Sequence, residues 1–144
     1  MLHRAVAVLV IRSTGEFVLQ QRSRHDLWQP GLWTLSCTGH VKKGETYDAA
    51  AVRELEEEVG VKANLAIFKK FLLPPIHSAG FTEREWVAFY VARTDLPCRI
   101  DTTELEGVKE VDGPQLRLML DDDSMTPDAV ILLTEYLKHG RKSE

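Results

Sequence analysis

Two cysteines, Cys37 and Cys98, are the only thiols in 144 residues, and they lack CxxC spacing. A disulfide framework and a thiolate zinc site are thereby excluded, and both read as reduced thiols. No apolar run reaches the roughly 18 residues of a membrane-spanning helix. The start, Met1-Leu2-His3-Arg4, passes into strand-like sequence rather than a signal-peptide pattern. The expectation is a soluble, cytoplasmic protein that does not engage membranes. The net charge of −4 is spread over both signs, with no like-charge block beyond Glu56 to Glu58 and Asp121 to Asp123 and no basic stripe. That excludes a reader of long nucleic acid. There is no internal repeat and no low-complexity stretch, and 44% apolar residues suffice for one core, so residues 1–144 are expected to form a single domain.

What is present is a mixture of strand and helix signals. Residues His3 to Ile11 and Phe17 to Gln21 flank the turn Ser13-Thr14-Gly15-Glu16 and predict a hairpin. A polar connection from Arg22 to Gly31 leads to a strand over Trp33 to Thr38 and a loop over Gly39 to Gly44. Thr46 or Asp48 caps a helix running to about Val59, with Gly60 at its left-handed end. Strands over Asn64 to Leu73 and Phe81 to Ala92 enclose an irregular loop from Pro74 to Gly80; a short strand at Val108 to Val111, a helix at Pro114 to Leu120 and a last helix at Pro127 to Lys138 follow. Because strands and helices do not strictly alternate, a mixed sheet covered by helices is expected rather than a doubly wound one.

The helix before Gly60 carries the chemistry. At about 100° per residue, Val52, Leu55 and Val59 share an apolar side, while Glu54, Glu57 and Glu58 share the other. Like charges at these spacings cost roughly 0.2–0.5 kcal/mol per pair in an isolated helix. A bound cation reverses that sign. Carboxylate oxygens without thiolates are hard donors, suited to Mg²⁺ or Mn²⁺. A solvated acidic face gives the same local pattern.

The flanking residues separate these readings. Gly39, Glu45, Arg53-Glu54-Leu55, Glu57-Glu58 and Gly60-Val61 match G-x5-E-x7-R-E-U-x-E-E-x-G-U, with U aliphatic, at every specified position. The chain thus resembles the Nudix hydrolases, and the likeness in element order covers most of its length. The resemblance implies an α+β Nudix fold, an α/β/α sandwich around a mixed sheet, and cleavage of a diphosphate linkage in a nucleoside diphosphate derivative or similar small substrate. It also implies Glu54, Glu57, Glu58 and the Gly39 carbonyl as Mg²⁺ ligands, Arg53 as the residue orienting a box glutamate, and Glu45 as a brace between loop and helix. The alternative for Arg53 and Glu45 is an ordinary surface ion pair.

Diphosphate hydrolysis needs charge neutralisation and a deprotonated water. Relatives take the base from the box, as Glu54 would serve here, or from a later strand or loop. Glu83, Glu85, Glu104 and Glu106 are available, and Glu83 and Glu85 share one face of a strand. Glu85 is a catalytic candidate and Glu83 a candidate substrate contact, with the base left open between these residues and the box, and a polar outer face opposite Trp86 gives the same spacing. Arg22, Lys42 and Lys43 are candidates for phosphate oxygens. Trp28, Phe81 and the Pro74 to Gly80 loop are candidates for a stacking wall, although such aromatics more often serve packing.

Another branch of the fold, the type I isopentenyl diphosphate isomerases, is also similar. Pro30-Gly31-Leu32-Trp33-Thr34, Gly39-His40, His3 and Glu83-Arg84-Glu85 carry that likeness. Against it, Thr38 stands where bacterial isomerases place the proton-transferring cysteine, with Cys37 one residue early and hence on the opposite strand face. Asp26 stands where a diphosphate-binding lysine is expected, and both Glu57 and Glu58 are retained. Cys37 therefore reads as a buried apolar filler. Isomerisation is the alternative function, and a non-catalytic binding module, which would usually lose the box glutamates, is a third. A homodimer is compatible with the sequence but not specified by it.

Overall fold

Strand β1 (Leu2–Ile11) sets the architecture. Its alternate residues Ala5, Ala7, Leu9 and Ile11 enter one core and Val6, Val8 and Val10 another. A strand apolar on both faces must be covered on both. The computed structural model describes residues 2–27, 29–78, 80–99 and 105–139, and only the backbone of Leu2, Ile76, Ser78, Phe81 and Glu83.

β1 runs parallel to β7 (Phe81–Arg93) from Leu2 opposite Arg84 to Ile11 opposite Arg93. Other neighbours are antiparallel: β2 (Phe17–Arg22) and β4 (Cys37–His40) on β1, β5 (Leu65–Leu72) and β6 (Ile76–Ser78) on β7, and β3 (Trp33–Thr34) and β8 (Leu105–Val111) on β2. The sheet is mixed, as expected. Helix α1 (Tyr47–Glu54), continued by a π-helical turn over Leu55–Val59, covers the face of Val6, Val8 and Val10. Helices α2 (Gly113–Asp121) and α3 (Pro127–His139) cover the other through Leu116, Leu132, Leu133 and Tyr136. The result is an α+β sandwich of helix, mixed sheet and helix. No helix among the described residues is long and apolar enough to cross a membrane.

Several local expectations change. Trp33 to Thr38 is two short strands, because the Ser36 hydroxyl wedges between β1 and β2, accepting from Val10 N (2.7 Å) and donating to Val18 O (2.6 Å). The hairpin ladder of β1 and β2 is correspondingly confined to Val10–Val18 and Ile11–Phe17. Gly39 and His40 belong to β4, opposite Val6 and Ala5, rather than to a loop. The Pro74 to Gly80 stretch contains β6, folded back on the start of β7.

Thr46 is the helix cap, its hydroxyl accepting from Ala49 N at 3.1 Å, and Gly60 ends the helix at φ 72°. The apolar side of the helix departs from the expected stripe: Ala50, Ala51, Leu55 and Val59 are buried, whereas Val52 is 51% exposed. In the π turn each residue advances less than in an α-helix. Val59 therefore stays in line with Ala51 and Leu55, and Val52 falls outside that line.

Candidate active site

Arg53 ties the loop after β4 to the helix. Its Nε and Nη2 donate to Glu45 Oε2 (2.8 Å) and Oε1 (2.9 Å), a two-pronged contact for which a planar guanidinium is suited. Nη2 also reaches the His40 carbonyl (3.1 Å), and Nη1 donates to Glu54 Oε1 (2.7 Å) and Glu57 Oε2 (3.4 Å). Glu45 further accepts from Lys42 N (3.0 Å). These donors, Arg53 first, lower the Glu45 carboxyl to about 2, and Glu45 and then Glu54 raise the Arg53 guanidinium. From the other side of the helix, the Tyr90 hydroxyl donates to Asp48 and fastens α1 to β7.

Glu54, the next residue, is buried against β4. Its carboxylate lies so close to Gly39 that a Cβ there would stand 2.2 Å from Glu54 Cδ. Glu54, Glu58 and Gly39 share the wall of a cavity of about 620 Å³ with Arg53. Glu57 does not line it; with Glu56 and Asp48 it borders a separate depression on the outer side of the helix. Neighbouring residues of a helix point about a quarter-turn or more apart, so Glu57 and Glu58 border different depressions.

Opposite the carboxylates, His40 Nε2 and Glu85 Oε2 are 3.1 Å apart, and the rings of His3 and His40 are 5.2 Å apart. Glu85, Arg22 and Lys42 line the same cavity, with Arg22 held 3.4 Å from Asp26. Thr38 lines it too, whereas Cys37 is fully buried among Val8, Ala51 and Leu55. Burial, with Glu58 and Glu54 adding to it, pushes the Cys37 thiol well up. It is a packed thiol, as its strand position implied.

The model of the NUDIX domain matches residues 1–129. The chain belongs to the Nudix family. An isopentenyl-diphosphate Delta-isomerase 2 of Photorhabdus laumondii is 34% identical over 140 residues, 97% of this chain and 77% of the relative. A protein of Pseudomonas aeruginosa named as an uncharacterized Nudix hydrolase is 32% identical over 80% of this chain and 65% of its own. Among solved structures, a MutT protein from Methanosarcina mazei Go1 superposes with a TM-score of 0.77 at 19% identity, over 98% of this chain and 96% of that one. That likeness shows the fold. The two relatives by sequence show a family whose members carry both isomerase and hydrolase names.

Of the residues singled out by the Nudix pattern, the cavity unites Gly39, Arg53, Glu54 and Glu58 with Arg22, Lys42 and Glu85. Lys43 is exposed away from it, and Glu106 pairs with Arg24 at 3.5 Å. The Glu83 and Phe81 side chains, Trp28 and Glu104 lie outside the described residues. Asp128 and Thr126 at the start of α3, with Gln29 and Thr34, also line the cavity. Sequence reading missed these four; Thr126-Pro127-Asp128 showed only the start of a helix.

The donor set, hard carboxylate and carbonyl oxygens, fits a divalent metal ion. No group of three or more His, Cys, Asp or Glu side chains is arranged to hold a metal ion among the described residues. Four carboxylates line the cavity, Glu54, Glu58, Glu85 and Asp128, and of the pattern's glutamates Glu54 and Glu58 share its wall with the Gly39 backbone. Mg²⁺ characteristically takes one or two carboxylates and completes its shell with water and substrate phosphate oxygens.

Proposed function

We propose that this protein is a Mg²⁺-dependent hydrolase that cleaves a diphosphate linkage in a nucleoside diphosphate derivative or similar small substrate. The observation that carries the reading is the division at residues 37 and 38. Thr38 faces the carboxylate cavity, and the only nearby thiol is sealed in the core, with its thiolate form disfavoured. A proton-transferring cysteine has no place at this cavity, whereas both Glu54 and Glu58 do.

Glu54 and Glu58, with the Gly39 carbonyl, would hold the metal, and Mn²⁺ suits the same oxygen donors. Glu57 acts from the rim through the Arg53 guanidinium it shares with Glu54. When bound, the metal neutralises diphosphate charge and lowers the pKa of a water molecule. Arg53 fixes the Glu54 carboxylate, Arg22 and Lys42 meet phosphate oxygens, and Glu85, held by His40, takes the proton of the attacking water. The protein works on small molecules in the cytoplasm.

Isomerisation of isopentenyl diphosphate is the second reading, favoured by the Photorhabdus relative's name and by the closeness of His3, His40 and Glu85. Phosphate release from a panel of diphosphates with Mg²⁺, run beside an isopentenyl diphosphate isomerisation assay, separates the two.

A further inference from the structure

Two buried side-chain polar atoms have no hydrogen-bond partner among the described residues, Gln20 Oε1 and Asp128 Oδ1. Both residues border the site. Asp128 lines the 620 Å³ cavity, and Gln20 lines an adjoining depression of about 410 Å³. Arg22, Thr38 and Glu58 are common to both. We propose that Gln20 and Asp128 determine specificity, as acceptors that select a diphosphate whose organic part carries O–H or N–H donors and that reject an alkyl diphosphate. The inference rests on the hydrolase reading and goes on to name the residues that choose the substrate.

Neither acceptor serves the fold. Gln20 sits in β2 between the core residue Leu19 and Gln21, is 4% exposed, and its Oε1 has no hydrogen-bond partner among the described residues. A buried amide oxygen without a partner, following Phe17, Val18 and Leu19 in the strand, costs stability rather than adding to it. Asp128 is desolvated at the start of α3, with the Thr126 hydroxyl and Ala129 N–H assisting its carboxyl and the Glu85 charge opposing it. Rotation of the terminal carboxyl or amide, a soft torsion, reorients the Asp128 acceptor in the cavity wall and the Gln20 acceptor in the wall of the adjoining depression without moving backbone. A substrate bearing hydroxyls or N–H groups satisfies the acceptors when it fills the site. An isopentenyl tail leaves both unpaired in a site emptied of water, and sites built on such hydrogen bonds discriminate steeply against analogues that lack them.

The test is calorimetric binding, with Mg²⁺, of the α,β-methylene analogues of the four common nucleoside diphosphates and of isopentenyl diphosphate. The tightest nucleoside analogue is expected to bind at least about tenfold better than the alkyl analogue. Gln20→Met and Asp128→Leu should each cut that ratio about fivefold or more while leaving Tm unchanged or higher, and Asp128→Asn, which keeps an acceptor, should preserve it. Equal binding of the alkyl analogue by the natural protein, or a ratio indifferent to both apolar substitutions, overturns the proposal. Hydrolysis without this preference would sink the acceptors and leave the hydrolase reading. The preference without hydrolysis of any diphosphate would do the reverse.

Discussion

The Glu54 carboxylate rests on the Cα of Gly39, with Oε1 2.4 Å and Oε2 2.6 Å from where a Gly39 Cβ would stand. The first residue of the Nudix pattern is therefore a glycine because a carboxylate occupies the space of its side chain. Gly39→Ala must expel that carboxylate from the cavity. The expected result is a loss of about 10²–10³ in kcat with weakened Mg²⁺ activation, comparable to removing one preorganised group from an active site. Steady-state kinetics over a magnesium titration reads both.

Glu57 and Glu58 are adjacent in sequence but part company in space. Glu58 lines the cavity and Glu57 the outer depression, where its carboxylate is 3.4 Å from Arg53 Nη1. Glu58→Gln and Glu54→Gln should each lower kcat by about 10³. Glu57→Gln should cost about tenfold or less. Equal losses at 57 and 58 would show that the carboxylates act as one cluster.

Glu45 gives a prediction in pH. Its folded-state pKa of about 2 lies below the unfolded value near ~4.3, so its ionised form supports the fold above that range and the support is lost as pH falls toward 2. Glu45→Gln should flatten the dependence of Tm on pH between about 5 and 2, measured by thermal melts. Arg53→Lys, which cannot form the two-pronged contact, should flatten it in part and lower kcat as Glu54 loosens.

Asp128 has the opposite sign. Burial, first, and the Glu85 charge raise its carboxyl above the ordinary value, so ionisation opposes folding. The penalty is absent below about pH 4 and sets in as pH rises through the raised folded-state value. Asp128→Asn should therefore raise Tm at pH 7 and match the natural protein near pH 3. A Tm difference independent of pH would contradict the assignment.

The Nudix pattern was legible because its spacing is local: a loop, a cap and less than five turns of helix. Thr46, Arg53, Glu45 and Gly60 stand as their sequence positions implied. The assignments that failed depend on what lies across the sheet or along the helix axis. Val52 was placed in the core by a uniform 100° step, which the π turn does not keep. The break at Ser36 arises from a hydroxyl shared by two other strands. Asp128 reaches the cavity, and Gln20 the depression beside it, through pairings distant in sequence, for which no residue pattern exists. Cys37 was legible because two-residue alternation in a strand is strict, and the sheet keeps it: Cys37 in the core, Thr38 at the cavity.

The most direct measurement is product formation by the natural protein, Glu58→Gln and Cys37→Ala, from a panel of nucleoside diphosphate derivatives and from isopentenyl diphosphate, with Mg²⁺ and with chelator. The account predicts Mg²⁺-dependent hydrolysis of at least one nucleoside diphosphate derivative, abolished by chelator and by Glu58→Gln, retained in Cys37→Ala, and no isomerisation. Isomerisation of isopentenyl diphosphate that disappears in Cys37→Ala, without hydrolysis of any panel member, would contradict it.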